Sequence, residues 1–147
     1  MNKVFILILT LCIFHVEVDA ASKVYTRSGN LAVEGYDVTT FFESGGPQMG
    51  SSDHELSYDG ATWHFINEEN LELFKDNPET YTPQYGGYCI MAISQGRLTG
   101  GSTEHWIVFD GDLYLLCNQN ALNNWLKSPY FHIWKADSRW PQILSIY

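Results

Sequence analysis

The chain has 147 residues, enough for one domain, with 45% hydrophobic and 15% aromatic residues and a formal net charge of −9. That composition can fill a core, and the net negative charge argues against nucleic acid and anionic lipid as partners. Low-complexity tracts, internal repeats of useful length and Asn-x-Ser/Thr acceptor sites are not expected from this sequence.

Lys3 precedes an apolar run from Val4 to Phe14 broken only by Thr10. The run is shorter than the roughly 20 residues of a membrane-spanning helix. Val18-Asp19-Ala20 offers small or short residues where a signal peptidase reads. Residues 1–20 are therefore expected to be a signal peptide cleaved after Ala20, giving a secreted or periplasmic protein without a membrane span. Residues 21–30 read as a flexible leader, and residues 31–147 as a single domain.

Asp37 caps an expected short helix, DVTTFFES, which Gly45-Gly46-Pro47 stops. Asp59-Gly60 joins ELSY to ATWHFI, a strong hairpin signal, with Trp63 and Phe65 on one face and Thr62 and His64 on the other. Asn67 caps EENLELFKD, whose early Glu68 and Glu69 and late Lys75 suit the helix dipole. Pro78 opens a further turn, PETY. QYGGYCIMAISQG reads as a Gly-Gly entry into a buried helix closing at Gly96. Asp110-Gly111 marks a second hairpin, in which WIVF lacks any polar position and is expected to be a central strand. Asn118 to Lys127 reads as an amphipathic helix with Leu122, Trp125 and Leu126 inward. A last helical piece, YFHIWKAD, runs to Trp140-Pro141. The expected class is α+β: one small antiparallel sheet built from the two Asp-Gly hairpins, with several short helices packed on it.

The stretches AVEGYDVTTFF, SYDGATWHF, NPETYTPQYGGYC, SQG, WIVFDGDLYL and KAD before Trp140-Pro141 occur in one order across nearly all of residues 31–147. In that pattern the chain resembles exported YHS-domain proteins. The resemblance implies a small module linked to transition metals, copper especially. In the short metal-linked form of such modules a hairpin strand ends in a cysteine and a second cysteine follows four residues on. Here Ile66 and Asn70 stand at those places, so that chemistry does not transfer to this hairpin.

Cys89, in the YGGYC motif, follows Gly86-Gly87 near an expected helix start, where a thiol is acidified and can bind metal or act as a nucleophile. Equally, it is a small residue suited to a core, or one half of a disulfide with Cys117 in an exported chain. Candidate metal ligands are Cys89, His54, His64, His105 and Asp37, with copper or zinc the fitting ions. His54, His64, His105 and His132 show no zinc-motif spacing and also read as scattered surface residues. Asp37 is also accounted for as a helix cap, and Tyr36, Tyr85 and Tyr88 are candidate pocket residues. Phosphate-binding glycine loops, G-x-S-x-G and H-E-x-x-H are not found. The leading expectation is an exported binding module for a metal ion or small ligand near Cys89. A disulfide-stapled interaction domain without metal, its protein partner unknown, and a Cys89-dependent enzyme are the alternatives.

Overall fold

The computed structural model describes residues 22–147, so the expected signal peptide lies outside the described residues. The class is α+β. A two-residue strand, β1 (Tyr36–Asp37), pairs with β2 (Gln48–Met49) around a 3-10 turn, Val38–Phe42, where a short helix is expected. The first Asp-Gly hairpin is β3 (Ser51–Tyr58) against β4 (Ala61–Phe65). Helix α1 (Glu68–Asp76) takes its cap from Asn67, whose side chain accepts the Asn70 N–H at 2.9 Å. Next come α2 (Pro78–Tyr81), a 3-10 turn at Gln84–Gly87 and a single helical turn, α3 (Ile90–Ile93), shorter than the helix expected to reach Gly96. The second hairpin is β5 (Ser102–Phe109) against β6 (Asp112–Leu116), followed by α4 (Gln119–Trp125) and α5 (Pro129–Ile146).

The two hairpins do not share a sheet; each stays a separate two-stranded ribbon. The reason lies in the side chains of the second hairpin, which are apolar on both faces. Trp106, Val108, Leu113 and Leu115 face one hydrophobic cluster, with Trp63, Phe65 and Phe74. Ile107, Phe109, Tyr114 and Leu116 face a second, with Ile90, Ile93 and Trp125. WIVF therefore lacks a polar position because it forms a wall between two cores, and not because it is central in a wider sheet.

The expectation that the chain holds no internal repeat is wrong. Residues 33–82 and 85–133 have the same backbone plan. Val33, Glu34 and Gly35 take φ of 43°, 56° and 85°; Tyr85, Gly86 and Gly87 take 55°, 62° and 86°. Three successive left-handed residues are uncommon, and a β-branched valine there is a genuine outlier. Gly50 N–H donates to Gly35 O at 2.9 Å, as Gly101 N–H does to Gly87 O at 3.0 Å. Tyr36 bridges to Met49 as Tyr88 does to Gly100. Both hairpins carry an irregularity at the same place, between Ser51 and Glu55 and between Ser102 and Trp106. Both turns are Asp-Gly, and both following helices are capped by asparagine, with Asn118 Oδ1 accepting the Ala121 N–H at 2.9 Å. Pro78 and Pro129 then start α2 and α5 at matching positions.

Three other expectations change. The segment read as a flexible leader is docked from Ser22 onward: Val24 is in the first core and Tyr25 N–H donates to Gly86 O at 2.9 Å. Leu126 points outward, half exposed. The last helix runs through Pro141, which removes one hydrogen bond but not the burial of Ala136 and Ile143 that holds it on α3.

Candidate functional site

Cys89 and Cys117 form a disulfide, with Cα atoms 5.3 Å apart. Cys89 is fully buried, and its sulfur accepts the Cys117 N–H at 3.0 Å. Of the readings open for Cys89, the disulfide holds. The thiolate that a metal site or a nucleophile requires is not present in this form.

Asp37 is equally buried, and its carboxylate is saturated. Oδ1 accepts Thr39 N–H at 2.9 Å and the Thr39 hydroxyl at 2.7 Å. Oδ2 accepts Ile66 N–H at 2.9 Å and Asn70 Nδ2–H at 2.8 Å. It is thus a helix cap, as one reading of the sequence has it, and it does more. Ile66 and Asn70 are the two positions where the resemblance places thiols. Both turn a donor toward one carboxylate oxygen, so a hydrogen-bonded node fills the place that soft-metal ligands would take.

The repeat connects these two sites. Asp37 in the first unit matches Cys89 in the second, and Ile66 matches Cys117. In each unit the residue after the shared Gly-Tyr step ties the end of the second hairpin strand to the core. The first unit uses a carboxylate accepting a backbone N–H, the second a covalent bond together with a backbone N–H to sulfur.

The remaining candidate ligands are dispersed. His54 Nδ1 lies 3.4 Å from Glu68 Oε2, and His64 Nε2 lies 3.6 Å from Glu55 Oε2. His105 lines a cavity of about 310 Å³ with Cys117, Tyr25 and Arg27, and its buried Nδ1 has no partner among the described residues. No group of three or more His, Cys, Asp or Glu side chains among the described residues is placed to hold a metal ion. Cys89, His54, His64, His105 and Asp37 therefore do not make one site among the described residues, and with Cys89 held in the disulfide they do not fit a bound copper or zinc.

The three candidate pocket tyrosines also separate. Tyr36 borders a cavity with Arg27 and Glu34. Tyr88 donates to Ser22 O at 3.0 Å. Tyr85 borders a polar groove of about 450 Å³ with Tyr58, Asp59, Glu79 and Trp140, and its hydroxyl donates to Asp137 Oδ1 at 2.8 Å. Sequence reasoning missed Asn70 and Asp137, because nothing local marks either as the partner of a residue so distant in the chain.

Burial first, and then the Asp137 carboxylate, raise the Tyr85 phenol pKa. Burial first, and then Asp112, push Tyr114 from 10.0 up to about 12. A phenol whose pKa is higher in the folded state favours the fold fully below its unfolded pKa and loses that contribution as pH climbs through the folded value. Stability is therefore expected to be insensitive to these groups up to pH 10 and to fall above it, through about 12 for Tyr114 and beyond that for Tyr85. Near-ultraviolet titration of the folded chain should show the Tyr85 and Tyr114 phenols ionising well above pH 10. Ionisation of every tyrosine at its ordinary pKa in the folded chain would contradict this.

A family profile described as the YHS domain matches residues 47–85. That interval covers the first hairpin, α1 and α2, and the corresponding residues of the second unit lie outside it. No curated protein and no solved structure matches the chain.

Proposed function

We propose that this chain, a YHS-domain-containing protein, acts as an exported, disulfide-stapled binding domain that engages a partner without metal or catalysis. The observation that carries this reading is the Cys89–Cys117 bond, which takes up both cysteines of the described residues. An oxidising compartment is where such a bond forms and persists. The Asp37 node supports the same reading, since it uses hydrogen bonds where a metal would need thiols.

Intact mass of the chain isolated from cells that express it tests both halves. The expected species begins at Ala21, is two hydrogens lighter than the dithiol and resists alkylation without reductant. Titration with Cu(I), Cu(II) and Zn(II) is expected to show no stoichiometric binding. An alkylated, reduced chain, or tight binding by the oxidised one, would overturn the proposal.

A second reading keeps the family's metal, on the ground that His105 lines the same cavity as Cys117 with an unpartnered Nδ1. Reduction would then free two thiols beside an imidazole, a donor set suited to copper. Stoichiometric Cu(I) binding that appears on reduction and is lost in His105→Ala would favour it.

A further inference from the structure

We infer that the polar groove at the junction of the two repeat units is a binding site for a guanidinium group. Its lining draws Tyr58, Asp59 and Glu79 from the first unit and Tyr85 and Trp140 from beyond it, around about 450 Å³. A cleft of this size where two folded units meet is a usual place for a ligand. Such a site rests on the reading of the chain as a metal-free binding domain and names what that domain recognises. Neither disulfide cysteine lines the groove, so a failure here leaves the oxidised, metal-free chain standing.

The repeat shows what builds the groove. Helix α2 ends at Tyr81, whereas its counterpart α5 continues to Ile146. Asp137 and Trp140 lie on that continuation, which the first unit lacks. There they meet Tyr85. The Trp140 ring stands edge-on to it, with 5.8 Å between ring centres, and Asp137 Oδ1 accepts the Tyr85 hydroxyl at 2.8 Å. Tyr58 is packed edge-on against Phe74 of the first core, at 5.5 Å. The rings are thus held in place before a ligand arrives, which lowers the ordering cost of binding.

The lining selects the occupant. Its charged side chains, Asp59 and Glu79, are both carboxylates, and no Lys, Arg or His lines the groove. Lys23 Nζ comes within 3.9 Å of Asp59 Oδ1, but the two side chains are 71% and 43% exposed, a surface pairing that an incoming cation can displace. Asp137 adds negative charge at the Tyr85 hydroxyl, and after burial it is the chief cause of that phenol's raised pKa, with Asp112 acting in the same direction. An anion is repelled from such a place. A guanidinium matches both of its features, since its flat face stacks on aromatic rings and its fork of N–H donors pairs with carboxylates. An ammonium is more strongly hydrated and has no flat face to stack.

The test is calorimetric titration of the oxidised chain with N-acetyl-arginine amide, beside N-acetyl-lysine amide. Saturable one-to-one binding of the arginine probe, tighter than that of the lysine probe, is expected. Asp59→Asn/Glu79→Gln should weaken it by about tenfold or more, as expected for losing hydrogen bonds to charged groups. Its Tm should be unchanged, because asparagine also suits the left-handed turn at position 59 and Glu79 is exposed. Glu43→Gln/Asp53→Asn removes the same charge outside the groove and should leave binding unaltered, which separates the site from the general pull of a chain of net charge −9. The Trp140 indole N–H resonance, assigned with Trp140→Phe, should move in step with occupancy. A blocked pentapeptide with one central arginine distinguishes the source: binding as tight as the amide or tighter assigns the group to a protein partner, and weaker binding to a small molecule. No saturable binding, equal binding of the lysine probe, an equal loss in both double variants, or a Trp140 resonance that stays in place at saturation would each overturn the inference.

Discussion

Replacing both cysteines, Cys89→Ala/Cys117→Ala, is expected to cost about 3–4 kcal/mol of stability in the chain-entropy account of a cross-link. The bond spans 28 residues and so restricts a substantial loop of the unfolded chain. In the folded state it joins the α3 entry to the end of β6, two segments of the second core. Urea unfolding followed by tryptophan fluorescence measures the loss directly, since Trp125 lies in that core. A single Cys89→Ser variant should be at least as damaging, because it leaves a hydroxyl in a fully buried place. A loss below about 1 kcal/mol in the double variant would mean that the cross-link restrains little in the unfolded chain.

The local signals in the sequence were strong where turn and cap chemistry decides the outcome. Asp59-Gly60 and Asp110-Gly111 give left-handed turn residues, and Asn67 and Asn118 cap helices, as their side chains dictate. The repeat was hidden because these are nearly all that its two units share. Gly50, Ser51, His54, Asp59, Gly60, Asn67, Leu71 and Pro78 recur as Gly101, Ser102, His105, Asp110, Gly111, Asn118, Leu122 and Pro129. The core residues between them change size, with Trp63, Phe65 and Phe74 answered by Tyr114, Leu116 and Trp125. Two packed cores select for volume in context and leave little identity to detect. The separation of the hairpins was hidden for a related reason. A strand apolar on both faces reads alike whether it lies within a sheet or between two cores. Pro141 misled because a proline signals helix termination locally, whereas burial of Ile143 beyond it is a tertiary effect.

Asp37→Ala is the second substitution expected to have a large effect, at about 3–5 kcal/mol. It strands donors from Thr39, Ile66 and Asn70 in a buried place, and each unsatisfied group costs roughly 1–3 kcal/mol. Asp37→Asn should cost less, since its amide oxygen keeps one accepting end while its NH₂ faces a donor. Thermal melts of the two variants separate these costs, and a near-neutral Asp37→Ala would show that water or a shifted loop satisfies the donors. The stronger test uses the repeat itself. If Asp37 and Ile66 are placed as Cys89 and Cys117 are, then Asp37→Cys/Ile66→Cys should close a second disulfide under oxidising conditions. Its mass would fall by two further hydrogens, and the covalent bond would recover part of what the lost carboxylate contributed. Both new thiols remaining free to alkylate in a folded chain would show that the two nodes differ in geometry. The carboxylate would then be a separate solution to ordering the first unit, not the hydrogen-bonded counterpart of the cross-link in the second.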